Sequence, residues 1–153
     1  MDAVISDLLK EGSSVLQIGE KDYERSVATS NLLYRFFRPG CVVQPTQIFE
    51  AETVIRIAKS HDIAVTIKNG GHSYTGSPIA KEGISLDPYR LKDVTVDMGA
   101  EAMTLQGGAL WGHAYKALVN GGRCSTVGVS GFIKSAKLTC DANLRSYPTY
   151  LST

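Results

Sequence analysis

Two short β-branched runs with one amphipathic helix between them constrain this chain more than any other feature. Cys41-Val42-Val43 and Ile63-Ala64-Val65-Thr66-Ile67 are short and rich in branched side chains, and both predict strands. Pro45 closes the first, because its ring withholds an N–H from a continuing ladder. Thr46 predicts a helix N-cap, with Glu50 and Glu52 near the positive end of the dipole. Ile48, Ala51, Ile55 and Ala58, widened by Val54, predict the buried stripe. Lys59 and His61 suit the negative end, and Asp62 begins the exit. Parallel strands need such a crossover, which is right-handed, so residues 41–67 predict a β-α-β unit whose second strand is buried.

The flanking segments predict smaller pieces. Val4, Ile5, Leu8 and Leu9 give residues 2–10 a helical pattern that stops at Gly12, a C-cap residue. Residues 22–31 predict a second helix. Residues 83–87 predict a short strand broken by Pro88, and Val94 and Val96 alternate in another. Met98-Gly99-Ala100-Glu101 predicts a hairpin turn into residues 102–106. Gly107-Gly108 opens a helix over 110–118, which ends at Asn120-Gly121-Gly122. Residues 133–153 show no period. The expected class is α+β, with a small parallel β-α-β subdomain and an antiparallel strand subdomain.

Charge and cysteine content narrow the function classes. A net charge of +1 gives no electrostatic footprint for nucleic acid or an acidic membrane surface. No apolar stretch approaches the roughly 20 residues that span a bilayer. The start, Met1-Asp2-Ala3-Val4-Ile5-Ser6-Asp7, is acidic and unlike a secretory signal. Three cysteines, an odd number, disfavour a disulfide framework, so a reducing, cytoplasmic location is the expectation.

Two turns carry chemistry. In Lys68-Asn69-Gly70-Gly71-His72-Ser73-Tyr74 a histidine leaves the predicted strand through two glycines. Such a turn permits φ > 0 and lines up backbone N–H groups as an anion site that suits a pyrophosphate, with Lys68 adding charge. The same residues also suit an ordinary strand-to-loop turn with a surface histidine. In Gly121-Gly122-Arg123-Cys124-Ser125-Thr126-Val127-Gly128 a cysteine stands beside Arg123, which fits either a reactive thiolate or a small buried residue. Cys41 is expected in the core, and Cys140 has no assignment. No Cys-x-x-Cys or His-x3-His spacing supports a metal site. His113 and Tyr115 fall on a helix, with His113 on its surface. Asp87 and Asp97 are expected to cap turns.

In the order and content of their segments, residues 41–132 resemble the flavin-binding domain of the FAD-linked oxidases of the berberine bridge enzyme type, in the vanillyl-alcohol oxidase group. The resemblance rests on Pro45 before the crossover helix, on residues 65–76 with their Gly-Gly-His-Ser-Tyr core, on Thr104-Leu105-Gln106-Gly107-Gly108-Ala109-Leu110-Trp111, and on residues 121–132. It implies a PCMH-type FAD-binding domain over residues 37–132, after a helical lead-in over 1–36 and before a divergent tail over 133–153. It further implies FAD as cofactor, bonded twice. His72 looks like the histidine on the flavin 8α carbon, and Cys124 like the cysteine on C6. Lys68, Asn69, Gly70, Gly71, His72 and Ser73 resemble the pyrophosphate cradle, with lysine where many relatives have arginine. Thr126, Val127 and Gly128 would lie against the isoalloxazine, and Val127 resembles a position that gates oxygen. A small-molecule alcohol, sugar or secondary metabolite as substrate and oxygen as acceptor follow from the same resemblance.

The departures set a rival expectation. Where relatives continue with a glycine-rich stretch, this chain has Ile133-Lys134-Ser135-Ala136-Lys137-Leu138. No substrate domain and no catalytic base are identifiable in these 153 residues. A domain incomplete at its C-terminus, inactive and at most binding flavin nucleotide, is the alternative to an oxidase. A noncovalent nucleotide module would require His72 and Cys124 to stay unmodified.

Overall fold

The predicted parallel strands are present, with another strand inserted between them. The computed structural model describes residues 1–29, 32–70, 81–100, 102–124 and 145–146. The chain divides into two compact units, Met1–Leu91 and Lys92–Thr153. In the first, β1 (Val15–Leu16), β2 (Cys41–Val43), β3 (Val65–Ile67) and β4 (Ile84–Leu86) lie in the order β1-β2-β4-β3. β2 and β3 each run parallel to β4, with Val43 and Ile67 both opposite Leu86. β1 pairs antiparallel with β2. Helix α3 (Ile48–Ser60) therefore carries the chain past one strand position, which β4 later fills. β4 is buried throughout, as the centre of a sheet covered on both faces must be.

β3 is not the buried strand expected. It has one strand neighbour among the described residues, and Ile67 is 62% exposed. Helix α3 also turns a different side inward from the predicted stripe. Val54, Ile57 and Ala58 are buried with Ala51 beside them, whereas Ile48 and Ile55 are exposed. At about 100° per residue, Ile48 and Ile55 fall roughly a quarter-turn from the centre of the buried arc. Spacing alone did not say which of the two arcs faced the sheet.

The N-cap of α3 is Gln47, not Thr46. Thr46 stands one residue earlier, where its N–H and its hydroxyl donate to the two carboxylate oxygens of Glu50, at 2.8 and 2.7 Å. At the other end His61 is the C-cap, and its Nε2 lies 3.0 Å from Asp7 Oδ2. Hydrogen bonds from Lys10 first and His61 second hold the Asp7 carboxyl below its ordinary value. Asp7 belongs to α1 (Asp2–Lys10), which ends as its glycine predicts. Gly12 has φ +77°, its N–H donates to Leu9 O, and the Ser13 N–H donates to Leu8 O, the double bond of a Schellman motif. Helix α2 (Lys21–Val27) is shorter than predicted, because Ala28 is already extended.

Alternation then sorts the sheet into two faces. Cys41, Val43, Ile84 and Leu86 pack with Val4 and Leu8 of α1 and with Val54, Ile57 and Ala58 of α3. Burial pushes the Cys41 thiol up to about 11, the environment expected of a core cysteine. On the opposite face Val42 packs under Tyr23 and Val27 of α2. The Tyr23 hydroxyl donates to Pro39 O at 2.7 Å.

The second unit is a hairpin with a helix on it. β5 (Val94–Asp97) and β6 (Ala102–Leu105) pair antiparallel, with Val96 opposite Met103. Asp97 caps their turn as expected, accepting from the N–H groups of Gly99 and Ala100 at 2.9 Å each. Met103 and Leu105 pack with Ala109, Trp111, Ala114 and Leu118, the last three on α4 (Trp111–Asn120). His113 is exposed, and its Nδ1 accepts from the Leu110 N–H at 3.3 Å, tying off the start of that helix. Gly122, at φ +66°, turns the chain from α4 into β7 (Arg123–Cys124). β7 pairs antiparallel with β8 (Arg145–Ser146), a strand the aperiodic tail did not predict.

Candidate functional site

Each of the three parallel strands is followed by a polar residue: Gln44 after β2, Lys68 after β3 and Asp87 after β4. The ladder carries one residue past the strands, since the Asp87 N–H donates to Val43 O and the Lys68 N–H to Leu86 O, both at 2.9 Å. By alternation the three side chains share the α2 face, two residues beyond Val42, Thr66 and Ser85.

They converge on α2. Asp87 Oδ2 accepts from Ser26 Oγ at 2.8 Å and from Gln44 Nε2 at 2.9 Å. Gln44 Nε2 also lies 3.1 Å from Ser26 Oγ. The Lys68 ammonium donates to the Ser26 carbonyl. Asp87 is 5% exposed and Lys68 8%, so a cation and an anion are both buried and meet on one serine. Such groups are tolerated inside only when hydrogen-bonded.

Asp87 also performs the capping expected of it. Its Oδ1 accepts from the Tyr89 N–H at 3.1 Å and caps a single 3₁₀ turn, Pro88–Arg90. That turn carries the chain out of the sheet, whereas Asn69 and Gly70 follow Lys68 beyond the last ladder bond from β3. The carboxyl edge of parallel strands is where open α/β sheets receive ligands. Here the chain leaves that edge through Asn69 and Gly70, directly after the buried Lys68. The chemistry fits an anion held by backbone N–H groups, with no side chain at Gly70 in the way.

Of the predicted site residues, Lys68, Asn69 and Gly70 occupy this edge in the first unit. Cys124 belongs to the second, where its backbone pairs with Arg145. Gly71, His72, Ser73, Thr126, Val127 and Gly128 lie outside the described residues. The sequence reading missed Ser26 and Gln44, and treated Asp87 only as a turn cap. A signal was available. Val42-Val43-Gln44, Thr66-Ile67-Lys68 and Ser85-Leu86-Asp87 each place a polar residue two beyond a strand residue. Among the described residues, no three His, Cys, Asp or Glu side chains are grouped to hold a metal. No described helix is long and apolar enough to cross a membrane.

Comparison with known proteins supplies the family. Residues 39–136 match the FAD binding domain family. The FAD-dependent monooxygenase drtC of Aspergillus calidoustus is 29% identical over 139 residues, covering 84% of this chain and 27% of that protein. Berberine bridge enzyme-like 21 of Arabidopsis thaliana is 34% identical over 106 residues, covering 63% and 20%. Among solved structures, glucooligosaccharide oxidase from Acremonium strictum superimposes with a TM-score of 0.77 at 20% identity, over 86% of this chain and 28% of that one. Its FAD is described as 6-S-cysteinyl, 8α-N1-histidyl. The chain thus spans about a quarter of the length of the curated relatives it matches first.

Proposed function

From the premise that this chain belongs to the FAD binding domain family, we propose that it is the cofactor-holding part of an oxidase whose flavin is bonded to both His72 and Cys124. The order of four segments carries this reading: a β-α-β unit, a Gly-Gly-His sequence after its second strand, a strand leading to Gly107-Gly108, and a cysteine after a second Gly-Gly pair. The doubly linked FAD of the glucooligosaccharide oxidase supports it, since that protein shares the fold and this chain has a histidine and a cysteine each following a Gly-Gly pair.

Bound FAD would accept a hydride equivalent from an alcohol, sugar or secondary metabolite and pass the electrons to oxygen. The residues of this chain do the holding. Backbone N–H groups of residues 69–73 would bind the diphosphate, and Thr126 and Gly128 would lie against the ring. Val127, small and branched, leaves oxygen a path. His72 and Cys124 would fix the ring at two atoms, which would prevent loss of the cofactor and spare the fold from clamping the ring on both faces. No residue here is assigned the proton-accepting role.

The test is covalent retention. The purified chain, reconstituted with FAD, should be yellow and should keep its flavin after acid denaturation. His72→Ala or Cys124→Ala alone should leave one bond, and the double variant should release all flavin. Complete release from the unsubstituted chain overturns the double linkage.

A further inference from the structure

The lysine that opens the cofactor loop is turned inward, onto the end of α2. We propose that Lys68 is a positioning residue, anchored inward to the end of α2, and that it is not a ligand of the cofactor diphosphate. The inference rests on the flavin reading of this edge.

Three observations carry it. First, the Lys68 side chain is buried at 8% exposure, and its ammonium donates to the Ser26 carbonyl. Ser26 is the penultimate residue of α2, so its carbonyl is one of the four that a helix leaves without an intrahelical donor. A buried cation both satisfies that oxygen and meets the negative end of the peptide dipoles. Second, the same serine donates its hydroxyl to Asp87, which also accepts from Gln44. The lysine charge is therefore balanced within the protein by a carboxylate on the same small cluster. Third, the Lys68 N–H is itself in the ladder, donating to Leu86 O. Backbone and side chain thus anchor this residue to two different elements, one position before Asn69 and Gly70. The start of the loop is fixed before a ligand arrives, and the anion is left to the backbone N–H groups.

Acylation of the full chain by an amine-reactive reagent, mapped by mass spectrometry with and without FAD, reads the ammonium directly. Lys68 should react far more slowly than the exposed Lys10 and Lys59, and FAD should not change its rate. Labelling at the surface rate, or protection that appears only with FAD, overturns the proposal. FAD titration at several salt concentrations separates the roles further. Lys68→Met should weaken FAD binding about tenfold, the cost of a lost charge-assisted hydrogen bond, with an unchanged dependence on salt. A shallower salt dependence would mark a direct ionic contact with the phosphates, and unchanged affinity in the folded variant would mark a lysine with no bearing on the loop. Either result rejects the positioning role. Should Lys68→Met not fold, Lys68→Met/Asp87→Asn removes both charges and is titrated in its place. Failure of the unsubstituted chain to take up FAD rejects the flavin reading, while the acylation rate of the free protein still decides where the ammonium lies.

Discussion

The two faces of the parallel sheet are built from alternate residues of the same three strands, yet they are held in opposite ways. Toward α1 and α3 the contacts are apolar: Cys41, Val43, Ile84 and Leu86 against Val4, Leu8, Val54 and Ile57. Toward α2 the strand ends present Gln44, Lys68 and Asp87 to one serine. Burial of apolar area has no direction, so the first face fixes that the layers meet but not the placement of any single backbone atom. Hydrogen bonds do have direction, and the second face fixes where the strand ends stop. A sheet of three-residue strands has few interior positions, and this one gives several of them to polar groups at the edge where the cofactor is proposed to bind. Stability comes from one face and position from the other.

That contrast breaks most readily at Ile84, in the centre of the apolar face and fully buried. Ile84→Ala should lower the unfolding free energy by about 2–5 kcal/mol, and Ile84→Val by about 0.5–1.5, measured by urea denaturation. A cost under about 1 kcal/mol for the alanine variant would mean that this face is not the main source of stability. Asp87→Ala should cost about 1–3 kcal/mol, because it takes from the buried Ser26 hydroxyl the carboxylate it donates to and removes the anion from the cluster that holds Lys68. The two variants should also differ in kind. Folded Ile84→Val should bind FAD as the parent does, whereas folded Asp87→Ala should bind it less well. Equal effects on FAD binding would erase the distinction between the faces.

The apolar face was largely legible in the sequence and the polar one was not. Cys41-Val42-Val43 and the crossover helix announce themselves by branching and period, signals that lie within about 15 residues of chain. The insertion of β4 between β2 and β3 depends on a pairing more than 15 residues away in sequence, which no local pattern encodes. Ile67 illustrates the consequence: its composition suits an interior strand, but its place at the edge leaves it exposed. Lys68, Asn69 and Gly70 stand out in the sequence as a glycine-bearing stretch after a β-branched run. The site was illegible at Ser26 and Gln44, ordinary residues that become informative only when folding places them within 3.1 Å of each other. Lys68 was noticed for its charge, although the sequence could not say which way that charge would point.

The smallest expected effect tests whether burial, and not bonding alone, sets the cost of losing a carboxylate. Glu50 resembles Asp87 in accepting several hydrogen bonds, but it does so at the protein surface, from the N–H and hydroxyl of Thr46. The Thr46 N–H, chief among these donors, holds the Glu50 carboxyl below its ordinary value. Because the folded value is depressed, its contribution is present above the unfolded value of about 4.3 and is lost as pH falls through the lower folded value. Glu50→Gln keeps one acceptor oxygen and should cost only about 0.5–1 kcal/mol at pH 7, as for loss of a helix-terminal cap. Thermal unfolding of parent and variant as pH is lowered from 7 should therefore show a gap that is full above about pH 4.3 and closes as pH falls through the lower folded value, where the parent carboxylate takes up its proton. A gap of constant size from pH 7 down to full protonation of the carboxylate would show that its charge contributes nothing. A gap at pH 7 as large as that of Asp87→Ala would show that the number of bonds, and not their removal from water, makes the polar face expensive to disturb.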